Sequence, residues 1–483
     1  TTAGYNTAVG GSALGHTTTG GGNVAVGYTS MQYNTTGVAN TAVGDTTLQD
    51  NTTGDNNTAL GRYALANNTT ADANTAVGKS AMYTNTTGAN NTGIGYYALQ
   101  ANTTGGSNTG VGHNSLAANT TGEKNTAIGQ ASLEVNTTGS NNTAVGDDAL
   151  DSNTTGGSGT AVGVSALAAN TTGEENVAVG RQALGANTTG SFNIGIGKGA
   201  LAANTTGGYN TSVGRLSLAA NTTASNNTAL GYAALEANTT GASNTAIGKD
   251  AGTSLTTGGE NTLVGIFCGD AVTTGNENCA LGKGALTTAT TGRRNVAMGS
   301  SAGQVILDGE ENTCIGFDCG NGISSGDNNM TLGRGSGTAQ SPSGNITTGS
   351  NVICLGNNSI TDLYCADTSI SSSDSRDKTD ITNFTHGLNW VNQLNPITYR
   401  WDKRTWYDDN TPDGSKKRNK KHIGFLAQDV LAIEGNPSDK DDMLVVNLNE
   451  DDSAYGLKYE RLVPILVNAI KELSAKVTAL EAG

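Results

Sequence analysis

"NTAVGDDALDSNTTGGS", residues 142–158, is one copy of a motif that fills about two thirds of this sequence. The leading Asn recurs every 17 residues from Asn6 to Asn329 without a slip, which makes twenty units. Only Gly159 replaces that Asn, and the consensus is N-T-A-V-G-x-x-A-L-x-x-N-T-T-G-x-x. A fixed period of this size indicates a solenoid in which each unit buries the face of its neighbour.

The residue types within the unit predict one β-coil per repeat. Seventeen residues are too few for a helical hairpin, and Thr and Val between glycines favour short strands and tight turns. Position 4 is always aliphatic or Met, as in Val9, Leu60 and Met298, and we interpret it as an inward side chain. Position 5 is always Gly, as expected where the backbone needs a positive φ or approaches another chain closely. The fixed Asn and Thr residues are expected to form hydrogen-bonded ladders.

An exchange between positions 9 and 12 indicates where the interior lies. These positions are usually Leu and Asn, but in four units they are Gly and an aliphatic residue. The pairs are Gly252 with Leu255, Gly269 with Val272, Gly303 with Ile306, and Gly320 with Ile323. Apolar volume is conserved, so both positions are expected to reach one interior space. The core is nevertheless thin for 17 residues, and we predict self-association, with three chains around one axis.

Charge and composition restrict the partners. The residues before Ser373 carry 11 basic and 23 acidic side chains, which argues against nucleic acid or an anionic membrane as a partner. No run of about 18 apolar residues exists, so no membrane span is expected. The first residue lies part-way through a repeat, and we therefore expect a longer parent chain.

The six cysteines lie in the last repeats and shortly after them. They show no CxxC spacing and the four histidines are dispersed, so we expect no metal site and no cofactor. Cys314 occupies position 3, and Cys268 and Cys319 occupy position 8, where Ala is usual. We interpret them as small buried thiols, and their spacing leaves disulfides open.

The recurring N-T-T triplet has three interpretations. It supplies glycosylation sequons, it is a Thr array of the kind that binds ice, or it forms the ladders named above. Adjacent Thr residues in a strand point to opposite faces, so the triplet would present a single Thr column. We favour ladders because they explain the regular phase.

From Ser373 onward the sequence resembles the self-cleaving intramolecular chaperone at the end of phage tail fibres, tail spikes and endosialidases. The likeness begins with S-D-x-R-x-K-x-x-I at residues 373–381. It continues through "LNWVNQLNPITYRW" (388–401), "HIGFLAQDV" (422–430) and "YERLVPILVNAIKEL" (459–473). The preceding repeats look like those fused to this module and, more loosely, like the heads of trimeric bacterial adhesins.

The resemblance implies a self-cleavage reaction at the junction. Ser373 would attack the peptide bond between Ser372 and Ser373, and Lys378, neutral when desolvated, would take its proton. Asp374 and Arg376 match the motif and would orient or pair with these groups. We expect at most single-turnover autoproteolysis and no substrate turnover by the repeats.

The last segment has the pattern of a coiled-coil helix over about 459–481. A 4,3 spacing joins Val463, Leu466, Ile470, Leu473, Val477 and Leu480. Branched residues at a with Leu at d would by themselves favour two strands, so this seam does not establish a trimer. The alternative is a helix that packs on its own domain.

We therefore predict a mainly β chain with three parts. These are a homotrimeric β-solenoid shaft (1–340), a neck (341–372) and a small α+β chaperone domain (373–483) that sets the trimer register. The predicted function is a phage tail fibre, folded in the host cytoplasm and carried on the virion. Its partners would be a host glycan or protein receptor and other tail proteins, the latter through a preceding part.

Two alternatives to the tail fibre remain. A bacterial surface adhesin would be expected to end in a membrane anchor, whereas this sequence ends in a short helix. A fibre-borne glycan depolymerase needs two positioned carboxylates, and pairs such as Asp147 and Asp148 look like solvated turns.

Overall fold

The chain divides into two compact units, Thr1–Asp308 and Gly309–Gly483. The structure is a computed structural model. It describes residues 3–360, 378–379, 381–404, 407, 409, 411–437, 442–448 and 455–482.

The first unit is a parallel β-solenoid, as the repeat predicts. Each coil contributes one three-residue strand, and successive strands pair in parallel, 17 residues apart, as in Thr143 with Thr160. The strands are β1 (Thr7–Val9), β2 (Val24–Val26), β3 (Thr41–Val43), β4 (Thr58–Leu60), β5 (Thr75–Val77), β6 (Thr92–Ile94), β7 (Thr109–Val111), β8 (Thr126–Ile128), β9 (Thr143–Val145), β10 (Thr160–Val162), β11 (Val177–Val179), β12 (Ile194–Ile196), β13 (Thr211–Val213), β14 (Thr228–Leu230), β15 (Thr245–Ile247), β16 (Thr262–Val264), β17 (Cys279–Leu281) and β18 (Val296–Met298).

The interior of each coil is filled from positions 3, 8 and 9. In the coil that contains β9, Ala144, Ala149 and Leu150 are buried. Leu150 has a φ of 53°, a left-handed conformation that costs an ordinary residue about 1–2 kcal/mol. Where position 9 is Gly252 instead, Leu255 at position 12 is fully buried. The predicted exchange of apolar volume within one interior is therefore confirmed.

The position-5 glycines have the positive φ expected of them, and their close approach is to the next coil of the same chain rather than to another chain. Gly146 has a φ of 142°, and a Cβ added to it would lie 2.7 Å from the carbonyl carbon of Gly163 in the next coil. Any side chain there would clash with backbone that has no room to move, so the stacking distance between coils requires Gly.

Buried Asn side chains link the coils through two ladders. At position 1, the backbone N–H of Asn142 donates to Asn125 Oδ1 (3.0 Å), and Asn142 Nδ2 donates to the carbonyl of Gly156 (2.9 Å). At position 12, Asn136 Nδ2 donates to Asn119 Oδ1 (2.8 Å). These bonds satisfy polar groups that would otherwise be costly to bury. The predicted ladders are confirmed.

The position-12 ladder stops at the first coil that has Gly at position 9 and an aliphatic residue at position 12. Asn238 Nδ2 still donates to Asn221 Oδ1 (3.1 Å). Leu255 occupies position 12 of the following coil and has no side-chain N–H to donate, and Asn238 Oδ1 is buried without a hydrogen-bond partner. The apolar exchange therefore leaves one unpaired acceptor at the ladder's end.

The N-T-T triplets lie in bends between strands and not within strands. Thr137 Oγ1 donates to the carbonyl of Thr154 in the next coil (3.0 Å), whereas Thr138 is exposed. The assumption that the two Thr residues point to opposite faces of a strand is therefore wrong. The hydroxyl of the first Thr hydrogen-bonds the next coil, and the second Thr lies at the surface.

The second unit begins with three more coils and continues as a small α+β region. The parallel strands β19 (Thr313–Ile315), β20 (Met330–Leu332) and β21 (Ile353–Leu355) come first, and β21 follows a longer coil because Met330 pairs with Ile353. The remaining elements are α1 (Leu388–Val391), β22 (Ile397–Tyr399), β23 (His422–Gly424), α2 (Ala427–Ile433), β24 (Val446–Leu448), β25 (Tyr455–Leu457), a 3-10 turn (Tyr459–Arg461) and α3 (Leu462–Glu481).

The α+β region has its own hydrophobic core. Two antiparallel pairs, β22 with β23 and β24 with β25, accompany the helices. The buried core residues are Trp390, Val430, Met443, Val445, Val446, Leu462 and Ile465. Pro464 lies in the first turn of α3, where its missing N–H breaks no helical hydrogen bond. The predicted small α+β region that ends in a helix is confirmed.

Candidate functional site

An apolar stripe runs along the outside of the first unit. It consists of the eighteen position-4 side chains of β1–β18, and Val9, Leu60 and Leu281 are each about half exposed. In β2–β18 the position-3 residue is buried, and successive side chains of a strand point to opposite sides. The prediction that position 4 points inward is therefore wrong.

A signal in the sequence could have placed this stripe correctly. Position 3 is almost always small and position 4 is always large, and the two cannot face the same side of one strand. An interior this narrow accepts Ala144 but has no space left for Val145 once Leu150 is inside. A row of large apolar side chains that the chain does not cover marks an interaction surface.

Position 6, two residues after the stripe residue, is mostly polar, although Val164 and Ile266 are also exposed there. Position 6 carries Arg181, Lys198 and Arg215 in three successive coils, and all three are exposed. Elsewhere in this column Arg62 pairs with Asp45 at 3.2 Å. An apolar centre with a polar rim is the usual composition of a protein interface.

The helix α3 presents a second uncovered apolar face. The predicted seam residues are between 43% and 82% exposed, namely Val463, Leu466, Ile470, Leu473, Val477 and Leu480. The face that packs on the domain is a different one, formed by Leu462, Ile465 and Ala469. The helix therefore does pack on its own domain, as the alternative predicts, but through a face other than the seam.

Polar contacts hold α3 and the strand pair β24–β25 in place. The carboxylate of Glu434, directly after α2, accepts backbone N–H groups of Val445 (2.6 Å) and Val446 (3.2 Å). Arg461 donates to the carbonyl of Leu444 (2.9 Å), and Glu472 of α3 accepts the N–H of Leu388 (2.9 Å). These bonds leave the seam free to face outward.

The junction residues are only partly within the described structure. Lys378 lies in an irregular segment and is exposed. Ser372, Ser373, Asp374 and Arg376 lie outside the described residues, so the distance between Ser373 and Lys378 stays untested. The dyad remains a prediction from the motif.

Residues 373–438 match the protein-family model Peptidase_S74, "Chaperone of endosialidase". The chain therefore carries a chaperone-of-endosialidase domain. The match spans α1, β22, β23 and α2 and ends before β24, so it does not include α3. No curated protein and no solved structure matches the chain.

Among the described residues, no three His, Cys, Asp or Glu side chains are grouped so as to hold a metal ion. Of the helices in the described ranges, none combines the length and apolar character that crossing a bilayer requires.

Proposed function

We propose that this chain is a homotrimeric structural fibre, most simply a phage tail fibre that attaches to a host surface. The chaperone-of-endosialidase domain would align the three copies and then cut itself off before Ser373. The observation that carries this proposal is the pair of uncovered apolar faces, the position-4 stripe of the first unit and the α3 seam of the second. Each has the composition of a contact surface.

The size of the stripe supports a specific interface. Eleven of the eighteen side chains are between 36% and 58% exposed, and an uncovered apolar row of this length is typical of a surface that binds another protein. Leaving this area in water would be unfavourable for a chain whose interior is mostly Ala and Leu. Other copies of the same chain match the stripe because its 17-residue period is the same in each copy.

Register explains why such a fibre needs a separate assembly domain. A slip of one copy by a whole coil keeps almost every stripe contact, because position 4 is apolar in every unit. The α+β region of the second unit does not repeat in this way, since its α3 seam ends after about three heptads. Association of the C-terminal domains first would align the chains, and the shaft would then assemble from that end.

The exposed position of Lys378 suggests how cleavage would be timed. A lysine acts as a general base only in its neutral form, which desolvation favours. In the single chain Lys378 is exposed, so we propose that neighbouring copies cover it on assembly. Cleavage would then follow trimer formation and make the shaft kinetically stable.

Charge placed on the stripe tests the trimer. Val111→Asp, Ile128→Asp and Val145→Asp, combined in one chain, put three charges on successive coils of the stripe. The matched control is Thr121→Asp, Thr138→Asp and Thr155→Asp, which puts the same charges on exposed position-14 residues of the same coils. Light scattering after size exclusion is expected to give three copies for the wild type and the control and fewer for the stripe variant. A wild-type monomer, or a stripe variant that stays trimeric, contradicts the interface.

Deletion and point variants test the chaperone role. A chain without residues 373–483 is expected to give aggregated or monomeric shaft, and soluble trimers from it would refute the role. Ser373→Ala and Lys378→Ala are each expected to abolish cleavage on a denaturing gel without loss of folding. Ser371→Ala is the control and should cleave normally. Equal fragment yields from all variants would exclude the dyad.

A further inference from the structure

Two cysteines of one coil face each other inside the second unit. Cys314 is the position-3 residue of β19 and Cys319 is the position-8 residue of the same coil, and both are fully buried. Both are free thiols, and they lie close enough for each thiol to shift the pKa of the other. The Sγ of Cys319 also lies 3.0 Å from Thr331 Oγ1. Neither thiol has a part in the assembly proposed above.

Positions 3 and 8 meet in every kind of coil, whatever residues occupy them. Ser212 at position 3 donates its hydroxyl to the carbonyl of Ser217 at position 8 (2.7 Å). A Cβ placed on Gly110 would lie 3.1 Å from Ser115 Oγ. In a disulfide the Cβ of one cysteine lies about 3 Å from the sulfur of the other. The coil backbone therefore already holds these positions at the separation that a disulfide needs.

This arrangement is confined to one of the twenty repeat units. Cys268 also occupies position 8, but the position-3 residue of its coil is Leu263. Burial raises the pKa of the Cys268 thiol to about 12, so its thiolate is scarce at neutral pH. The contact with Cys314, by contrast, lowers the pKa of the Cys319 thiol. Cys319 is thus the better nucleophile of the two position-8 thiols.

We propose that Cys314 and Cys319 are a redox site that closes into a disulfide within its coil when the chain meets an oxidising medium. The co-reactant is a small disulfide such as oxidised glutathione. The Cys319 thiolate attacks it and releases one reduced glutathione, and Cys314 then displaces the second. The two protein thiols lose two protons and two electrons, and one glutathione disulfide becomes two thiols. Because both sulfurs are buried, the reagent enters during folding or local opening.

The consequence is a covalent staple that leaves the stacking of coils intact. The disulfide closes a ring of six residues, from Cys314 in β19 to Cys319 in the turn that follows the strand. Neither side chain belongs to the Asn or Thr ladders, so the ladders are unaffected. The Cys319 S–H hydrogen bond to the carbonyl of Thr331 in the next coil (2.8 Å) is lost on closure. A stapled coil is expected to open less readily, since the ring restricts its unfolded states.

Tryptic mapping tests the proposal, because cleavage after Lys and Arg yields residues 295–334, which contain only these two cysteines. The full chain is unfolded, refolded with either oxidised or reduced glutathione, alkylated and digested. After oxidation we expect peptide 295–334 to be unalkylated and 2 Da lighter than its dithiol form. Peptide 250–283, which contains Cys268 and Cys279, is the internal control and should carry two alkyl groups. A doubly alkylated, singly glutathionylated or cross-linked peptide 295–334 overturns the proposal.

Variants at the two positions complete the test without risk to the fold. Cys314→Ala and Cys319→Ala each restore a residue found at that position in the coil of Ala246, Ala251 and Gly252, which has the same position-9 Gly. Each variant should fold and keep one alkylatable thiol in the peptide after oxidation. In the Cys268→Ala variant, peptide 295–334 should still become 2 Da lighter after oxidation. Closure in either single-cysteine variant would show that the mass loss has another origin.

Discussion

The position-12 Asn ladder is the part of the shaft whose interruption we expect to be most costly. Asn136 is fully buried. Its Nδ2 donates to Asn119 Oδ1 (2.8 Å) and to the Gly139 carbonyl (3.0 Å), and its Oδ1 accepts from Asn153 Nδ2 (2.8 Å). In an Asn136→Ala variant the Asn119 oxygen and one N–H of Asn153 lose their partners. The Gly139 carbonyl keeps a bond from Asn125 Nδ2 (2.9 Å).

The magnitude follows from these two unpaired groups. A buried donor or acceptor without a partner costs about 1–3 kcal/mol, so the variant is expected to lose about 2–6 kcal/mol of local stability. Each coil contacts mainly its neighbours, so the loss should be centred on residues 119–153. Since about 1.4 kcal/mol is a factor of ten, amide exchange through local opening should be at least roughly 30-fold faster there.

Hydrogen exchange with mass spectrometry measures this effect along the chain. Peptides within residues 119–153 should lose protection in Asn136→Ala, while peptides several coils away should exchange as in the wild type. Thr138→Ala, at an exposed position two residues further on, is the control and should stay within about 0.5 kcal/mol of the wild type. Unchanged protection in Asn136→Ala would refute the view that the ladder stabilises the coils.

Three further predictions concern the backbone, the pH dependence and the helix seam. Gly146→Ala places a Cβ against the backbone of the next coil and should lower local stability by about 2–5 kcal/mol in the same hydrogen-exchange assay. The control Gly11→Ala, whose Cβ meets only a movable Tyr ring, should be nearly neutral. Equal effects of the two variants would contradict the close approach. Burial raises the pKa of Asp151, so the folded chain holds this proton more tightly than the unfolded chain, and stability falls as pH rises through the acid range. Asp151→Asn should therefore raise the unfolding temperature at pH 7, with the gain vanishing near pH 3, and a larger gain from the exposed Asp147→Asn would count against burial as the cause. Leu473→Asp should leave the helical circular dichroism signal of the isolated chain unchanged but lower the oligomer mass, and an unchanged mass would remove the seam from the interface.

Much of the shaft was predictable because its rules are local and repeated. Glycine at position 5 in every unit indicated either a positive φ or a close approach, and Gly146 shows both. Gly252 and Leu255 stand where other coils have Leu at position 9 and Asn at position 12. This replacement predicted that both positions reach one interior, and the structure confirms it. Asn at two fixed phases predicted ladders, because a buried amide needs a partner and the next coil offers the same one.

The direction of the position-4 side chains was not predictable by the same rules. It depends on corners such as Asp148 and Leu150, where ordinary residues adopt a φ of 53°. Local preferences disfavour that conformation, and only the burial of the whole coil compensates for it. Likewise, the 4,3 spacing of α3 predicted an apolar seam, but the sequence did not show whether that seam is buried. The seam is solvent-exposed because Leu462 and Ile465, on another face of the helix, pack on the domain core.

The sequence by itself determined the period, the positions that need Gly or Asn, and the motif residues Ser373 and Lys378, because each depends on residue type and spacing along the chain. The tertiary structure alone decided which apolar residues the chain covers and which it leaves exposed. That choice depends on how coil corners and helix faces close around a limited interior. Residues distant in sequence occupy the same limited interior, so the sequence of a single repeat does not show which side chains are buried.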